Sequence, residues 1–446
     1  MHSAPLGNLG AAPPGNLGAV SLADDDTDIF AALESEVRSY CRCFPATFSS
    51  AKGAHVLAED GTTYIDFFCG ASSLNYGHNN DRIKKHLVTY LQDDGVMHAL
   101  DMHTTAKREF LARFRDVILL PRGLSYKTQF CGPTGSDAVE AALKLARRVT
   151  GRSGIIAFSG AYHGMTAGSL AATGSARARN AYGVPLHGTS FLPFESGPWG
   201  SFDSIDLLSK MLSDASSGVG VPAAVIVEPI QMEGGIYPAS GPWLRRLREI
   251  TSEYGILLIA DEIQAGCGRS GTFFCFEQAG ITPDLVTLSK SISGYGLPMS
   301  IVLIRPELDA WLPGEHTGTF RGTQLSFVAA AAALEFWEDP AFLAHLDDSA
   351  RRLRGFGESI RATDPRLQIR GRGMVLGIDM REAGGHYRAA DAQRACFANG
   401  LIVELCGRED EVIKVMPPLT ADSAVLEAGL DILRSAVLGA GDDPDI

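Results

Sequence analysis

Long apolar runs are missing from this 446-residue sequence: none approaches the roughly 18 consecutive apolar residues of a membrane-spanning helix, which excludes a helical membrane protein. Basic charge is scarce as well. Lysine and arginine total 39 against 52 acidic residues, a formal net charge of −13, and no basic block offsets that excess. Neither a nucleic acid nor a membrane is therefore an expected partner, and any anionic ligand must be met by a local set of donors. The eight cysteines are spread thinly, with only Cys41 and Cys43 close together. They have neither the C-x-x-C spacing of a zinc or redox site nor the density of a disulfide scaffold, so no metal is expected and a cytoplasmic location fits best. Residues 1–26 lack a basic stretch followed by an apolar core, so they read as a flexible tail and not as a secretory signal. Within them Gly7-Asn-Leu-Gly-Ala11 recurs as Gly15-Asn-Leu-Gly-Ala19, a repeat too rich in Gly and Pro to order itself.

What is present is the material of a globular protein: 45% apolar and 20% charged residues, in a chain longer than one core usually serves. Residues 27–75 read as an N-terminal lead-in, with helical spacing over 29–40 and strand alternation over 54–68 around a turn at Glu59-Asp60-Gly61. From 76 to 330, buried-strand patterns at 154–158, 223–227, 256–260 and 284–288 alternate with helical patterns such as 136–149 and 243–254. That alternation predicts a large α/β domain around a mostly parallel sheet. An alanine-rich helical stretch at 327–337 closes it ahead of Pro340. Residues 331–446 mix a helix at 343–362 with strands at 375–378 and 412–415, a smaller C-terminal α+β domain.

Three segments carry candidate chemistry. The strand run that ends in Asp261-Glu-Ile-Gln264 puts a carboxylate at the carboxyl end of a buried strand, the edge at which open α/β sheets bind ligands. A second run, Asp284-Leu-Val-Thr-Leu-Ser289, delivers Lys290 to such an end, followed by Gly294, Gly296 and Pro298. A lysine amine beside a buried site can form a Schiff base, and glycines after it let backbone approach a ligand. The third is Cys131-Gly-Pro-Thr-Gly-Ser-Asp-Ala138, a small-residue turn opening a helix whose free N–H groups suit a phosphate. Taken singly these are a loop carboxylate, a solvated surface lysine and an ordinary N-cap. Taken together they match the needs of pyridoxal 5'-phosphate: a lysine for its aldehyde carbon, an acid for its ring nitrogen and a cradle for its phosphate.

Asp261-Glu-Ile-Gln264, Leu288-Ser-Lys290 and Gly296-Leu-Pro298 resemble the class III aminotransferases of the type I pyridoxal-phosphate fold. The resemblance implies that Lys290 and Asp261 are catalytic, and that Gly135 and Ser136 bind phosphate. It also makes Tyr162, in Tyr162-His163-Gly164, the aromatic that stacks on the ring, and Gln264 a neighbour of the ring hydroxyl. His163 and Glu228 join the cofactor-binding set, and Thr319 reaches the phosphate of a neighbouring subunit in a homodimer or dimer of dimers. For the substrates, an amino acid and a keto acid, Glu233 and Arg370 resemble a paired switch. Arg370 would bind a carboxylate, and Glu233 would neutralise it when a terminal amine enters; Arg372 is a rival for that role.

A narrower resemblance, to diaminobutyrate:2-oxoglutarate aminotransferases, is carried by Leu74-Asn-Tyr-Gly-His-Asn-Asn80, Met97-His-Ala-Leu-Asp-Met102, Ile263-Gln-Ala-Gly-Cys-Gly268 and the run 288–298. It implies that L-glutamate and aspartate 4-semialdehyde give L-2,4-diaminobutyrate and 2-oxoglutarate. Ornithine aminotransferases usually carry arginine where this chain has Met165, so another cation must meet the distal carboxylate, and Arg42 is the candidate. Met232 stands where a glycine is usual. The alternatives are another ω-aminotransferase, acting on ornithine, 4-aminobutyrate, lysine or a pathway-specific amine, or a same-fold aminomutase.

Overall fold

A computed structural model describes residues 29–181, 183 and 185–439 of the chain, so the tail expected at 1–26 lies outside the described residues. The described residues fall into two compact units, divided between Pro45 and Ala46. In the first, the helical spacing read over 29–40 yields only the helix Ile29–Leu33, none of whose residues is buried, and a second short helix, Tyr40–Cys43. A helix this short, with no buried face to support it, has little to extend it.

The second unit begins with β1 (Phe48–Lys52), β2 (His55–Ala58) and β3 (Thr63–Asp66), paired antiparallel in sequence. The expected turn joins β2 to β3, where Asp60 Oδ1 accepts the Thr62 N–H at 2.9 Å and Gly61 takes a φ of 89°. Next come β4 (Lys127–Phe130), β5 (Ile155–Phe158), β6 (Thr189–Leu192), β7 (Ala224–Val227), the short hairpin of β8 (Ile230–Gln231) and β9 (Tyr237–Pro238), then β10 (Leu257–Asp261), β11 (Leu285–Leu288) and β12 (Ile301–Ile304).

Seven of these strands form one sheet in the order β4-β12-β11-β10-β7-β5-β6. Only β12 runs against its neighbours, so the sheet is mostly parallel, as the alternation of elements predicts. Every residue of β5, β7, β10, β11 and β12 is buried, which is why these strands read as unbroken apolar runs and not as alternating ones. The helix Gly135–Thr150 packs on one face through Val139, Ala142, Leu143 and Ala146, and Gly241–Glu253 covers the other through Trp243, Leu244 and Leu247. The carboxyl ends of β4, β5, β7, β10 and β11 share one edge.

The C-terminal part adds β13 (Gln368–Arg372), β14 (Val375–Asp379), β15 (Leu401–Ile402), β16 (Glu404–Cys406) and β17 (Val412–Val415). β15 extends the first sheet parallel to β3, and the other four form an antiparallel sheet in the order β13-β14-β17-β16. The helices Pro340–Thr363 and Ser423–Gly439 bury Leu353, Phe356, Ile360, Leu426 and Leu433 with Ile378, Ile413 and Val415 of that sheet. Among the described residues no helix is long and apolar enough to cross a membrane.

Arg269 knits the loop after β10 to these later strands. Wholly buried, its guanidinium donates to Met374 O at 2.7 Å, Pro417 O at 2.6 Å and Asn75 Oδ1 at 2.7 Å. The turn that brings Met374 there passes through Gly373, at a φ of 63°, where a Cβ would collide with the backbone of Ser270 and Gly271. Gly373→Ala should cost about 2 kcal/mol or more, from the combined backbone strain and overpacking. A thermal unfolding midpoint equal to that of the parent protein would show that the turn relaxes freely.

Candidate active site

The β4 end passes through Cys131–Thr134 into the helix Gly135–Thr150, whose start is set by reciprocal bonds. Thr134 Oγ1 accepts the Asp137 N–H at 3.4 Å and Asp137 Oδ2 accepts that of Thr134 at 3.1 Å. The first N–H groups of the helix have no intrahelical acceptor, and they form a ready anion site. Gly135 is needed because a Cβ would stand 3.1 Å from Ile263 Cδ1, tighter than ordinary contact. The Ser136 hydroxyl oxygen takes the Met165 N–H at 3.2 Å and so stays at the helix mouth.

Asp261 is the last residue of β10, and its carboxylate is held on both sides. Oδ2 lies 2.7 Å from Nδ1 of the buried His163, and Oδ1 accepts from Ile263 N and Thr287 Oγ1, each at 3.1 Å. His163 Nε2 is buried without a hydrogen-bond partner. Glu228, just past β7, accepts the N–H groups of Tyr162 at 2.8 Å and Met232 at 3.2 Å. Burial, with Asp261 nearby adding to it, pushes the Glu228 carboxyl up to about 7. Those bonds pin the turn that presents the Tyr162 ring, which is 37% exposed. Gln264 is buried and donates to Ala71 O at 3.2 Å. Its neighbour Glu262 instead accepts the Cys275 and Phe276 N–H groups at 2.8 and 2.9 Å, and burial pushes its carboxyl up to about 8.

Lys290 follows β11 with a φ of 52°, a left-handed conformation that costs a non-glycine residue on the order of 1–3 kcal/mol. Its neighbours hold it there. Ser289 Oγ donates to Met299 O at 2.9 Å, and Ser291 Oγ donates to Ser72 O at 2.7 Å while accepting from Asn75 N at 3.0 Å. Burial lowers the proton affinity of the Lys290 amine; Glu233 opposes that shift and a second cation, Lys414, adds to it.

One cavity of about 180 Å³ gathers Gly135, Ser136, Tyr162, His163, Glu228, Asp261, Gln264 and Lys290. These are eight of the residues singled out from the sequence, and they come from five loops at one sheet edge. A larger cavity, of about 330 Å³, lies by β13 and the helix Pro340–Thr363, and it shares no lining residue with the first.

The remaining expectations fare differently. Glu233 does not pair with Arg370. Its carboxylate lies 2.5 Å from Nζ of Lys414, while Arg370 donates to Asp379 Oδ2 at 2.8 Å and to Gly235 O, and sits over the Tyr237 ring at 4.0 Å. The register explains the error. Arg370 stands opposite Gly377, Gly377 opposite Lys414, and Lys414 opposite Glu404, so Arg370 shares a cross-sheet row with Lys414 but from two strands away. Arg370 and its rival Arg372 both line the larger cavity. Lys414, which sequence reasoning missed, left one signal: a lysine inside the apolar strand Val412-Ile-Lys-Val415, all of which is buried. Thr319 is exposed and does not line the cavity of its own chain. Arg42 belongs to the first unit, where it pairs with Glu36 at 2.5 Å. Met232 is fully buried in an apolar cluster with Ile236 and Val412 and does not line the cavity.

A lowered lysine amine, a carboxylate clamped by a buried histidine and an open helix start around one cavity fit pyridoxal phosphate. The amine would suit its aldehyde, the carboxylate its ring nitrogen and the helix start its phosphate. With the seven-stranded sheet, they define a pyridoxal-phosphate-dependent enzyme of the type I fold. The profile of the family described as "Aminotransferase class-III" matches residues 38–437, and the chain belongs to that family. It is therefore an aminotransferase, acting on an amino acid and a keto acid. The chain is 49% identical over 418 residues to a diaminobutyrate–2-oxoglutarate transaminase of Halalkalibacterium halodurans, covering 93% of this chain and 97% of that one. It is 51% identical over 414 residues to an uncharacterized aminotransferase of Sinorhizobium fredii, covering 92% and 91%. Among solved structures it resembles the ornithine aminotransferase of Toxoplasma gondii, with a TM-score of 0.79, 26% identity and coverage of 93% and 94%.

Asp261→Asn keeps the shape of the side chain but removes the charge that faces the ring nitrogen. Turnover should fall about a hundred- to a thousandfold, the usual loss when one preorganised electrostatic partner is removed. The protein should stay folded, as judged by its circular dichroism. A loss under about threefold would show that this carboxylate serves packing alone.

Proposed function

We propose that this chain moves an amino group from C2 of L-glutamate to C4 of aspartate 4-semialdehyde, forming L-2,4-diaminobutyrate and 2-oxoglutarate, and the reverse. The observation that carries this reading is the buried ion pair of Glu233 with Lys414, two charges whose electrostatic influence reaches Lys290. A diamino acid and a dicarboxylic acid bring opposite charges to one pocket. An acid and a base held together there can answer either. The relative in H. halodurans bears the name of this activity, and the long runs at 74–80, 97–102 and 288–298 support the same substrate.

In this reading each side chain has a definite task. Bound pyridoxal phosphate supplies an aldehyde carbon that exchanges amines and a ring that withdraws electrons from the substrate carbon. Lys290 would hold the group through its aldehyde carbon, its amine being the one that lines the cavity. Nζ, with its proton affinity lowered by burial, then takes the proton from the amine-bearing carbon of the substrate and delivers it across the site. Asp261, oriented by His163, keeps a proton on the ring nitrogen. Gly135 and Ser136 would hold the phosphate, and Tyr162 and Gln264, which line the same cavity, would hold the ring. Glu228 acts through the turn it pins. Thr319 completes the phosphate site of a second copy in a homodimer or dimer of dimers, and Arg42 meets the carboxylate far from the reacting carbon. The protein works in the cytoplasm.

An amine-donor panel with 2-oxoglutarate, read as glutamate formed, tests the substrate. Diaminobutyrate should be the best donor, and faster turnover of ornithine or 4-aminobutyrate would sink the assignment. Borohydride should fix the cofactor to Lys290, and Lys290→Ala should abolish turnover; a label on another lysine would refute the central role. Co-expressed Lys290→Ala and Thr319→Ala chains should recover activity above either variant alone, which separate, unshared sites would not allow.

A further inference from the structure

Lys414 has no exposure to water, yet it faces two carboxylates: Glu233 Oε1 at 2.5 Å and Glu404 Oε2 at 2.8 Å. One acid would suffice to neutralise it, so the second needs a reason. The two acids are built differently. Glu404 lies on β16, directly opposite Lys414 in the antiparallel ladder, and its side chain is 8% exposed. Glu233 lies in the turn between β8 and β9, followed by Gly234 and Gly235, and its side chain is 31% exposed. Strand pairing fixes the first, whereas the second sits on a turn followed by two glycines and is partly open to solvent.

We propose that Glu404 is a specificity-determining residue: the fixed counter-ion that stays with Lys414 when Glu233 turns toward the ligand. Without it, each departure of Glu233 would leave a bare ammonium in a dry corner, a state costing several kcal/mol. With it, Glu233 can leave at modest cost and offer its carboxylate to an ammonium on the substrate. The same anchor weakens Lys414 as a receptor for a substrate carboxylate, because its charge is already matched. Glu404 therefore biases the pocket toward the diamine and away from the dicarboxylic acid. Glu404 also shows the strain of this place: burial, despite the adjacent Lys414, raises its carboxyl above the ordinary range, with Glu233 adding to the rise.

The inference rests on the reading that Glu233 and Lys414 face the substrate. Its test uses Glu404→Gln in the holoenzyme, with three readouts. The ratio of kcat/KM for glutamate to that for diaminobutyrate should rise at least about tenfold, a change equivalent to about 1.4 kcal/mol. KM for 2-oxoglutarate should fall, and glutarate, a dicarboxylate that cannot react, should inhibit at lower concentration. Glu404→Asp keeps the charge and should return all three toward the parent values; it serves as the readout if Glu404→Gln does not fold, with a partial shift expected. An unchanged ratio, or an equal loss in both half-reactions by a folded variant, would overturn the proposal. If the parent enzyme does not use diaminobutyrate, the substrate assignment fails by itself. The Glu404 ratio is then read with the best terminal-amine donor of the panel.

Discussion

A buried ammonium group tolerates no half-measures: it must be matched by carboxylates in place, or the corner that holds it does not form. Lys414 imposes that condition on three separate parts of the chain. β16 must supply Glu404 in register, the β8–β9 turn must supply Glu233, and β14 between β13 and β17 must leave room, which it does with Gly377. A Cβ at Gly377 would stand 2.8 Å from Cβ of Ile236, in the same turn that carries Glu233. The charge cluster and the docking of the C-terminal sheet are thus one problem with one solution. Arg269, another fully buried cation, is held in a different way, by three neutral oxygen acceptors drawn from distant segments.

Lys290 depends on this frame in a second way. Its left-handed backbone is held by Ser291 and Asn75, and Asn75 is in turn held by Arg269 and by Cys267 O at 3.0 Å. A continuous path of hydrogen bonds therefore runs from the strained lysine to Met374 and Pro417 at the margin of the C-terminal strands. Strain persists at a site only where the surroundings over-determine it, and here the surroundings are buried and multiply bonded.

Four strands of the large sheet, β5, β7, β10 and β11, could be read from the sequence because each is buried along its whole length and bounded by a helix or a turn. β10 announced its end by the abrupt appearance of Asp261 after unbroken apolar residues, and β11 by Ser289-Lys290 after a mainly apolar run. The helix start at Gly135 was readable for a local reason too, since capping is decided within a few residues. What could not be read depends on register between strands far apart in sequence. Arg370 and Lys414 lie 44 residues apart, and nothing in either segment states that they share a row with Gly377 between them. Arg370 looked like the cation of a switch because its motif is conspicuous. Lys414 was hidden within an apolar strand, where a charged residue is easily passed over, although a charge in such a strand was itself the clue. Antiparallel β12 escaped notice for a related reason, because strand direction leaves no mark on an apolar run.

The two buried charge groups of this site differ in kind, and the reaction explains why. Asp261 is locked by His163, Thr287 and Ile263 N, with nothing free to move. A ring nitrogen needs the same partner in both halves of an amine exchange, so rigidity there costs nothing in scope and gains preorganisation. At the other end, the proposed reaction brings substrates of unlike charge in its two halves, and a locked pair would favour one and reject the other. Only a group with more than one stable arrangement can serve both, which requires a mobile member, a cation and something to hold that cation meanwhile. In the proposed reading Glu233, Lys414 and Glu404 fill those three places, on a turn, a buried strand and the strand paired with it.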